Sequence, residues 1–303
     1  LTVNQRNDII LTTTPTAGDR ASSSSRSLYF PQFADGGGYT TTLILLNTSN
    51  SEETGHIRVL DDEGAPFTVN QLGGSEGSLF SYSIPPSGTF RLQTDGSPGT
   101  ARSGWVTVIP DGGTSSPAGA GIYSLSQGGI LVTETGVPAA TPTTHARIYV
   151  DESLNHATGL ALAGPGDSSI DVTLRAFGMD GASPAGQGAA SMNLTAYGHR
   201  AGFVSDLVSE LPTDFRGVLD ISSSSPVVAV TLRTLTNSRG DFLVTTFPIA
   251  DTLQQAPSPI VFPQIANGGG YVTEFILIST TGGATKATLC FFGDDGMPWA
   301  VAE

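Results

Sequence analysis

The chain has 303 residues and a formal charge of −14, with 13 lysines and arginines against 27 aspartates and glutamates. That balance argues against nucleic acid or anionic membrane as a partner, because both are held through basic patches. Glycine (38) and proline (19) are abundant and charged amphipathic windows are scarce, so the expected class is all-β with very little helix.

No stretch approaches the ~18 apolar residues of a membrane helix, and no basic segment followed by an apolar run opens the chain. Neither a membrane span nor a signal peptide is therefore expected within it. Cys290 is the single cysteine, so no intrachain disulfide can form. In "ATLCFFG" it reads as a buried strand residue.

The opening segment becomes legible only through repeats. "NQRNDIILTTTPTA" (Asn4–Ala17) matches "NSRGDFLVTTFPIA" (Asn237–Ala250), so residues 1–17 read as the closing hairpin of a preceding or neighbouring module. A polar linker, 18–26, follows. Residues 27–142 form a first β-sandwich unit and 143–252 a second. Their kinship shows where "GIYSLSQGGILVTETGVPA" resembles "AVTLRTLTNSRGDFLVTTFPIA", and where "RVLDDEGAP" resembles "RAFGMDGASP". Residues 258–303 read as the first half of a further unit. A shift of 232 positions lays Phe30–Pro66 on Phe262–Pro298 without a gap, keeping Gly-Gly-Gly-Tyr and a distant Asp-x-Gly-x-Pro in register.

Two arrangements fit these part-modules. The favoured one is a segment of a longer tandem array. The other is a chain whose half-modules are completed by neighbouring molecules through strand exchange.

Within each unit, short β-branched and aromatic runs recur between Gly, Pro, Asp and Ser. This spacing predicts an antiparallel sandwich or barrel. Each unit of about 110 residues matches the ~100 residues of an immunoglobulin-like sandwich, although the Cys…Trp…Cys marks are absent. "SLSQGGILVTE" and "TLTNSRGDFLVTT" read as hairpins, and "LDDEGAP", "GMDGASP" and "GDDGMP" as one sharp turn in three copies. "VSDLVSELP" (Val204–Pro212) is the one helical candidate, with Ser205 as its cap.

"FPQFADGGGYTTTLILLN", followed by "DDEGAP", "SIPPSGTFRLQTDG", "SGWVTV" and "GVPA", resembles a tandem β-sandwich, immunoglobulin-like repeat of large secreted or surface-exposed bacterial proteins. The resemblance spans nearly the whole chain. It implies an extracellular β-rich module and carries over no catalytic residue.

Catalytic chemistry finds little support. His56, His145, His156 and His199 lie in no nucleophile context, and there is no Gly-x-Ser-x-Gly elbow. No His or Cys pair has metal-ligand spacing. Asp35, Asp61, Asp62, Glu63, Asp294 and Asp295 sit in glycine-rich turns that could hold calcium, yet Asp-Gly is first of all turn chemistry, and no cofactor is expected. "DGGGY" and "NGGGY" lack the Lys-Ser/Thr of a phosphate loop. Asn47 in "NTS" and Asn193 in "NLT" fit the glycosylation sequon.

These observations converge on a non-enzymatic extracellular or cell-surface structural protein, a repeat-built stalk or filament subunit. Its partners would be copies of itself or adjacent modules of a longer chain. Phe30, Pro31, Gln32 and Tyr39, with their copies Phe262, Pro263, Gln264 and Tyr271, are the candidate intermodule contacts, although the same recurrence would arise if they only fold each module. The alternative is an adhesion or carbohydrate-binding module, for which Trp105 or Trp299 would have to stand exposed beside a cleft.

Overall fold

The computed structural model describes residues 2–14, 26–97, 99–280 and 284–299. They divide into two compact units, 1–253 and 254–303. The predicted linker lies almost wholly outside the described residues.

Antiparallel strands build nearly all of the larger unit. β1 (Thr2–Val3) and β2 (Ile9–Ile10) form an N-terminal hairpin. Then come β3 (Leu28–Asp35), β4 (Tyr39–Leu46), β5 (Glu53–Leu60), the short pair β6 (Val69–Asn70) and β7 (Glu76–Gly77), β8 (Leu79–Ile84), β9 (Thr89–Gln93), β10 (Arg102–Pro110), β11 (Ala118–Gln127) and β12 (Ile130–Pro138). The next set is β13 (Thr143–Asp151), β14 (His156–Ala163), β15 (Ile170–Gly178), β16 (Pro184–Leu194), β17 (His199–Phe203), the four-residue helix α1 (Val204–Leu207), β18 (Arg216–Thr236), β19 (Phe242–Phe247) and β20 (Ala250–Asp251).

Strand order decides what these elements can do. β3 to β12 make two sheets, β3-β10-β5-β8 and β12-β11-β4-β9. Their inward residues, among them Phe30, Ile57, Tyr82 and Val106 from one sheet and Leu43, Leu45 and Leu92 from the other, share one core. Alternation produces this directly: in β8, Phe80, Tyr82 and Ile84 point in while Leu79, Ser81 and Ser83 point out.

The second set repeats the order, with β16-β15-β18-β13 on one side and β17-β14-β18-β19 on the other. β18 serves both sheets. Arg216–Ser223 pairs with β13 and β15, and Val228–Thr236 pairs with β14 and β19. The crossing falls at Ser224, Ser225 and Pro226, which are exposed, and proline fits there because it donates no ladder hydrogen bond. The same two roles belong to separate strands, β10 and β11, in the first sandwich.

Lettered A to H, the long strands run A-F-C-D and H-G-B-E. An immunoglobulin constant domain runs A-B-E-D and C-F-G. Here the first strand pairs with the sixth rather than the second, so similarity to that domain is confined to size and two-sheet construction.

The expected hairpins form. β11 and β12 meet through Gly128 and Gly129, both at positive φ, as a tight two-residue turn requires. The turns in which an acidic residue precedes Gly also agree in three copies: Gly64, Gly181 and Gly296, all at positive φ, donate to the carbonyls of Asp61, Gly178 and Gly293. The helical candidate forms as a single turn, but Ser205 is not its cap. Phe203 occupies that position without a side-chain bond.

Candidate functional site

The most elaborated surface of the larger unit is where its sandwiches and N-terminal hairpin meet. Along β14, Leu160 and Leu162 face their own core, while Ala161 and Ala163 turn the other way with Val228 and Val230 of β18. This outer face packs on Tyr123 and Val137 of the first sandwich, and on Leu60 and Trp105. Small residues let the backbones approach. Trp105 is fully buried and donates from Nε1 to the Tyr197 carbonyl at 2.9 Å.

Around that indole the Asp61–Pro66 turn clamps the turn that enters β17. His199 Nδ1 donates to Asp62 Oδ1 at 2.7 Å, and the His199 amide donates to the Asp62 carbonyl at 2.9 Å. Thr195 Oγ1 donates to the Glu63 carbonyl, and the Arg58 guanidinium lies 4.6 Å over the Tyr197 ring. Tyr197 holds φ at +55°, a conformation unusual for a bulky side chain, and its carbonyl, ring and amide are all engaged.

Further along the interface a cavity of about 360 Å³ opens, lined by Gln32, Tyr39, Tyr123, Phe203, Leu232 and Phe242 among others. Burial pushes the Tyr123 phenol well above its usual range, and its hydroxyl meets no hydrogen-bond partner among the described residues.

The N-terminal hairpin supplies the second contact. Thr2 Oγ1 donates to Glu134 and Asn4 Nδ2 to the Leu131 carbonyl of β12. Its tip, Asn4–Asp8, has the conformation of the β18–β19 tip, Asn237–Asp241. In each, the asparagine Oδ1 accepts the amides two and four residues on. The fourth position is left-handed, Asn7 in one and Gly240 in the other.

The two tips then grip each other. Arg6 places Nη1 and Nη2 on Asp241 Oδ1 and Oδ2, both at 3.0 Å, and Arg239 places the same pair on Asp8 at 3.1 Å. Each arginine also binds the aspartate of its own loop through Nε, at 3.0 Å. Hydrogen bonding to Arg239, then to Asn4, holds the Asp8 carboxyl below its usual range, and Arg6, then Asn237, does so for Asp241.

The predicted contact residues divide. Phe30 belongs to the first core and Pro31 is buried beside it, whereas Gln32 and Tyr39 line the cavity between sandwiches. Phe262, Pro263, Gln264 and Tyr271 are exposed in the separate unit 254–303. Cys290, expected to be buried, is exposed there too, because no strand ladder covers it. Asn47 is buried, with its amide spent on the Ser51 and Ile84 carbonyls, so the folded chain does not present it for glycosylation. Asn193 is exposed and bonds Asp171.

Two of the carboxylates weighed for calcium are engaged in hydrogen bonds of their own. Asp61 accepts the Glu63 and Ala65 amides, Asp62 holds His199, and Asp35 is buried on β3. No group of three His, Cys, Asp or Glu side chains converges among the described residues. The His199–Asp62 pair has the spacing of a base and its orienting acid, but Nε2, the atom that would face a nucleophile, is buried and meets no hydrogen-bond partner among the described residues.

No protein-family model matches the chain, and no curated protein or solved structure does either. No helix among the described residues is long and apolar enough to cross a membrane.

The self-complementary clasp was missed from sequence, although its signal was present. The matched pentapeptides NQRND and NSRGD each carry both halves of an Arg–Asp pair, which is the composition that lets a motif bind a copy of itself.

Proposed function

We propose that the chain is a non-enzymatic structural protein of the cell exterior. In this reading it is a repeat-built stalk or filament subunit, whose tandem sandwich modules join through contacts between like elements. The observation that carries the reading is the reciprocal clasp of Arg6 with Asp241 and Arg239 with Asp8. A loop that closes a module of this type here docks on the same loop from another copy of the element. A contact of that kind joins repeats without any ligand.

The carbohydrate-binding alternative draws less support. It needs an exposed aromatic platform, yet Trp105 is fully buried. Trp299 is exposed, but it stands at the repeat position of Phe67, which is buried against Phe33 in the first sandwich.

Electron microscopy of native material, combined with intact-chain mass spectrometry, tests the reading. Filaments or stalks with an axial repeat set by sandwich pairs are expected. Particles that are discrete and unassembled at every concentration would count against it. A useful companion is Gly136→Val, because a side chain at Gly136 would run into the Thr13 carbonyl of the N-terminal segment. That variant should loosen the joint while each sandwich core stays intact.

A further inference from the structure

Both sandwiches supply walls to the cavity of about 360 Å³. Gln32, Tyr39 and Tyr123 come from β3, β4 and β11 of the first, and Phe203, Leu232 and Phe242 from β17, β18 and β19 of the second. The volume lies within the range of small-molecule sites, which are concave and mostly apolar with a few placed polar groups. Four of these six side chains carry aromatic rings, so a flat apolar ring meets faces and edges against which it can stack.

The polar groups of the lining fall into two sets. Thr133 and Thr234 are satisfied within the protein: Thr133 Oγ1 donates to the Val244 carbonyl and accepts the Val244 amide, and Thr234 Oγ1 donates to the Ala157 carbonyl. Gln32 Oε1 and the Tyr123 hydroxyl are buried with no hydrogen-bond partner among the described residues. A buried acceptor and a buried phenol left without partners are costly, and both belong to side chains that line the same cavity. Water alone answers this poorly. At liquid density the volume corresponds to about a dozen molecules, so most would bond only to other water, and weakly held water is displaced with a gain in affinity by an apolar group.

Charge disfavours an ion in the interior. Arg102 and Asp206 are the charged residues of the lining, and both are exposed. The Arg102 guanidinium is engaged elsewhere: Nη2 donates to the Thr68 carbonyl at 3.0 Å, and the group lies 4.5 Å over the Phe67 ring. A carboxylate or ammonium placed beside Tyr123 would lose its hydration without gaining a buried counter-charge.

We propose that the cavity is a binding site for a small, uncharged, ring-containing molecule that carries a hydroxyl. The ring packs against Tyr39, Phe203, Leu232 and Phe242. The hydroxyl suits either unpartnered atom, since it donates to Gln32 Oε1 and accepts from the Tyr123 hydroxyl. Such a ligand touches both sandwiches, so its binding tightens the joint between them by mass action. The inference goes beyond the structural reading above and does not rest on it, and the Arg–Asp clasp takes no part in it.

Equilibrium dialysis of the whole chain against 2-naphthol, naphthalene and 2-naphthoate tests the site. 2-Naphthol should bind one per chain with a Kd of about 100 µM or tighter, which is within reach of a ligand this small. Naphthalene should bind at least about 3-fold more weakly and the charged 2-naphthoate at least about 10-fold more weakly. Removing both unpartnered atoms with Tyr123→Phe/Gln32→Leu should erase the preference for 2-naphthol while naphthalene still binds, and Ala34→Phe, which adds a ring at a lining position, should abolish binding of both. No saturable binding of 2-naphthol by the wild type overturns the proposal, as does binding of 2-naphthoate or naphthalene equal to that of 2-naphthol. A 2-naphthol preference that survives the double variant, or binding that survives Ala34→Phe, also overturns it, because the ligand would then lie elsewhere.

Discussion

Arg6 holds Asp241 through two parallel hydrogen bonds of 3.0 Å, and the equivalent arginine of the other loop, Arg239, returns the contact to Asp8. Paired forks of this kind are stronger and more directional than single surface ion pairs. Reversing one charge leaves two like charges facing across the joint. Arg6→Asp is therefore expected to release the N-terminal hairpin, read as fast exchange of the amides of 2–10, and adding Asp241→Arg should restore protection. If the double variant is as loose as the single one, the fork is not what holds the hairpin.

Acid should open the same joint. Asp8 and Asp241 have carboxyls held below the ordinary value of 3.8, chiefly by Arg239 and Arg6 respectively. A carboxyl depressed in the folded state takes its proton more readily when unfolded. Its contribution is therefore complete above 3.8 and is lost as pH falls through the lower folded value. Asp151 behaves alike: burial raises it, but Ser153, Arg233 and Arg216 outweigh that and leave it lowered. Comparing thermal unfolding of the wild type with Arg6→Met/Arg239→Met isolates the clasp. The Tm gap should be constant above about pH 4 and close below it, and a gap that persists unchanged at about pH 2 would sink the assignment.

Much of this architecture is legible in sequence, for a physical reason. Turns are local: glycines such as Gly64, Gly128 and Gly240 announce positive φ wherever they recur, and alternation in a strand such as β8 follows from the pleat alone. Strand order is not local, and nothing in "LYFPQFAD" says that its neighbour will be β10, about seventy residues on. The sandwich contact left one trace. "HATGLALA" is apolar or small on both faces, the pattern of a strand covered twice, and β14 is such a strand. Trp105 carried the opposite difficulty, since indole among apolar neighbours signals burial but not which partner buries it.

That partner is the second sandwich, so Trp105 should report on the joint rather than on one core alone. Truncating it to Ala removes a fully buried ring and the bond to Tyr197, a loss of about 3–5 kcal/mol for a change of this size. Trp105→Phe keeps most of the volume and should cost less. Fluorescence offers a direct check. In Trp299→Phe the remaining emission should be blue-shifted and shielded from iodide, whereas a quenched, red-shifted Trp105 would mean the sandwiches do not pack as described.

Asp35 gives the last test. Its side chain is fully buried at the end of β3, neither carboxylate oxygen has a hydrogen-bond partner among the described residues, and Arg102 approaches only to 3.8 Å. A buried charge without hydrogen bonds opposes folding, and Arg102 remains partly in solvent, with 43% of its side chain exposed, so removing the carboxylate strands no buried cation. The repeat itself shows that the isostere fits the motif, since Asn267 replaces Asp35 in "ANGGGY". Asp35→Asn is expected to leave stability unchanged or raise it by up to about 2 kcal/mol in denaturant unfolding. A loss of more than about 1 kcal/mol would mean instead that the Arg102 pair is a working contact.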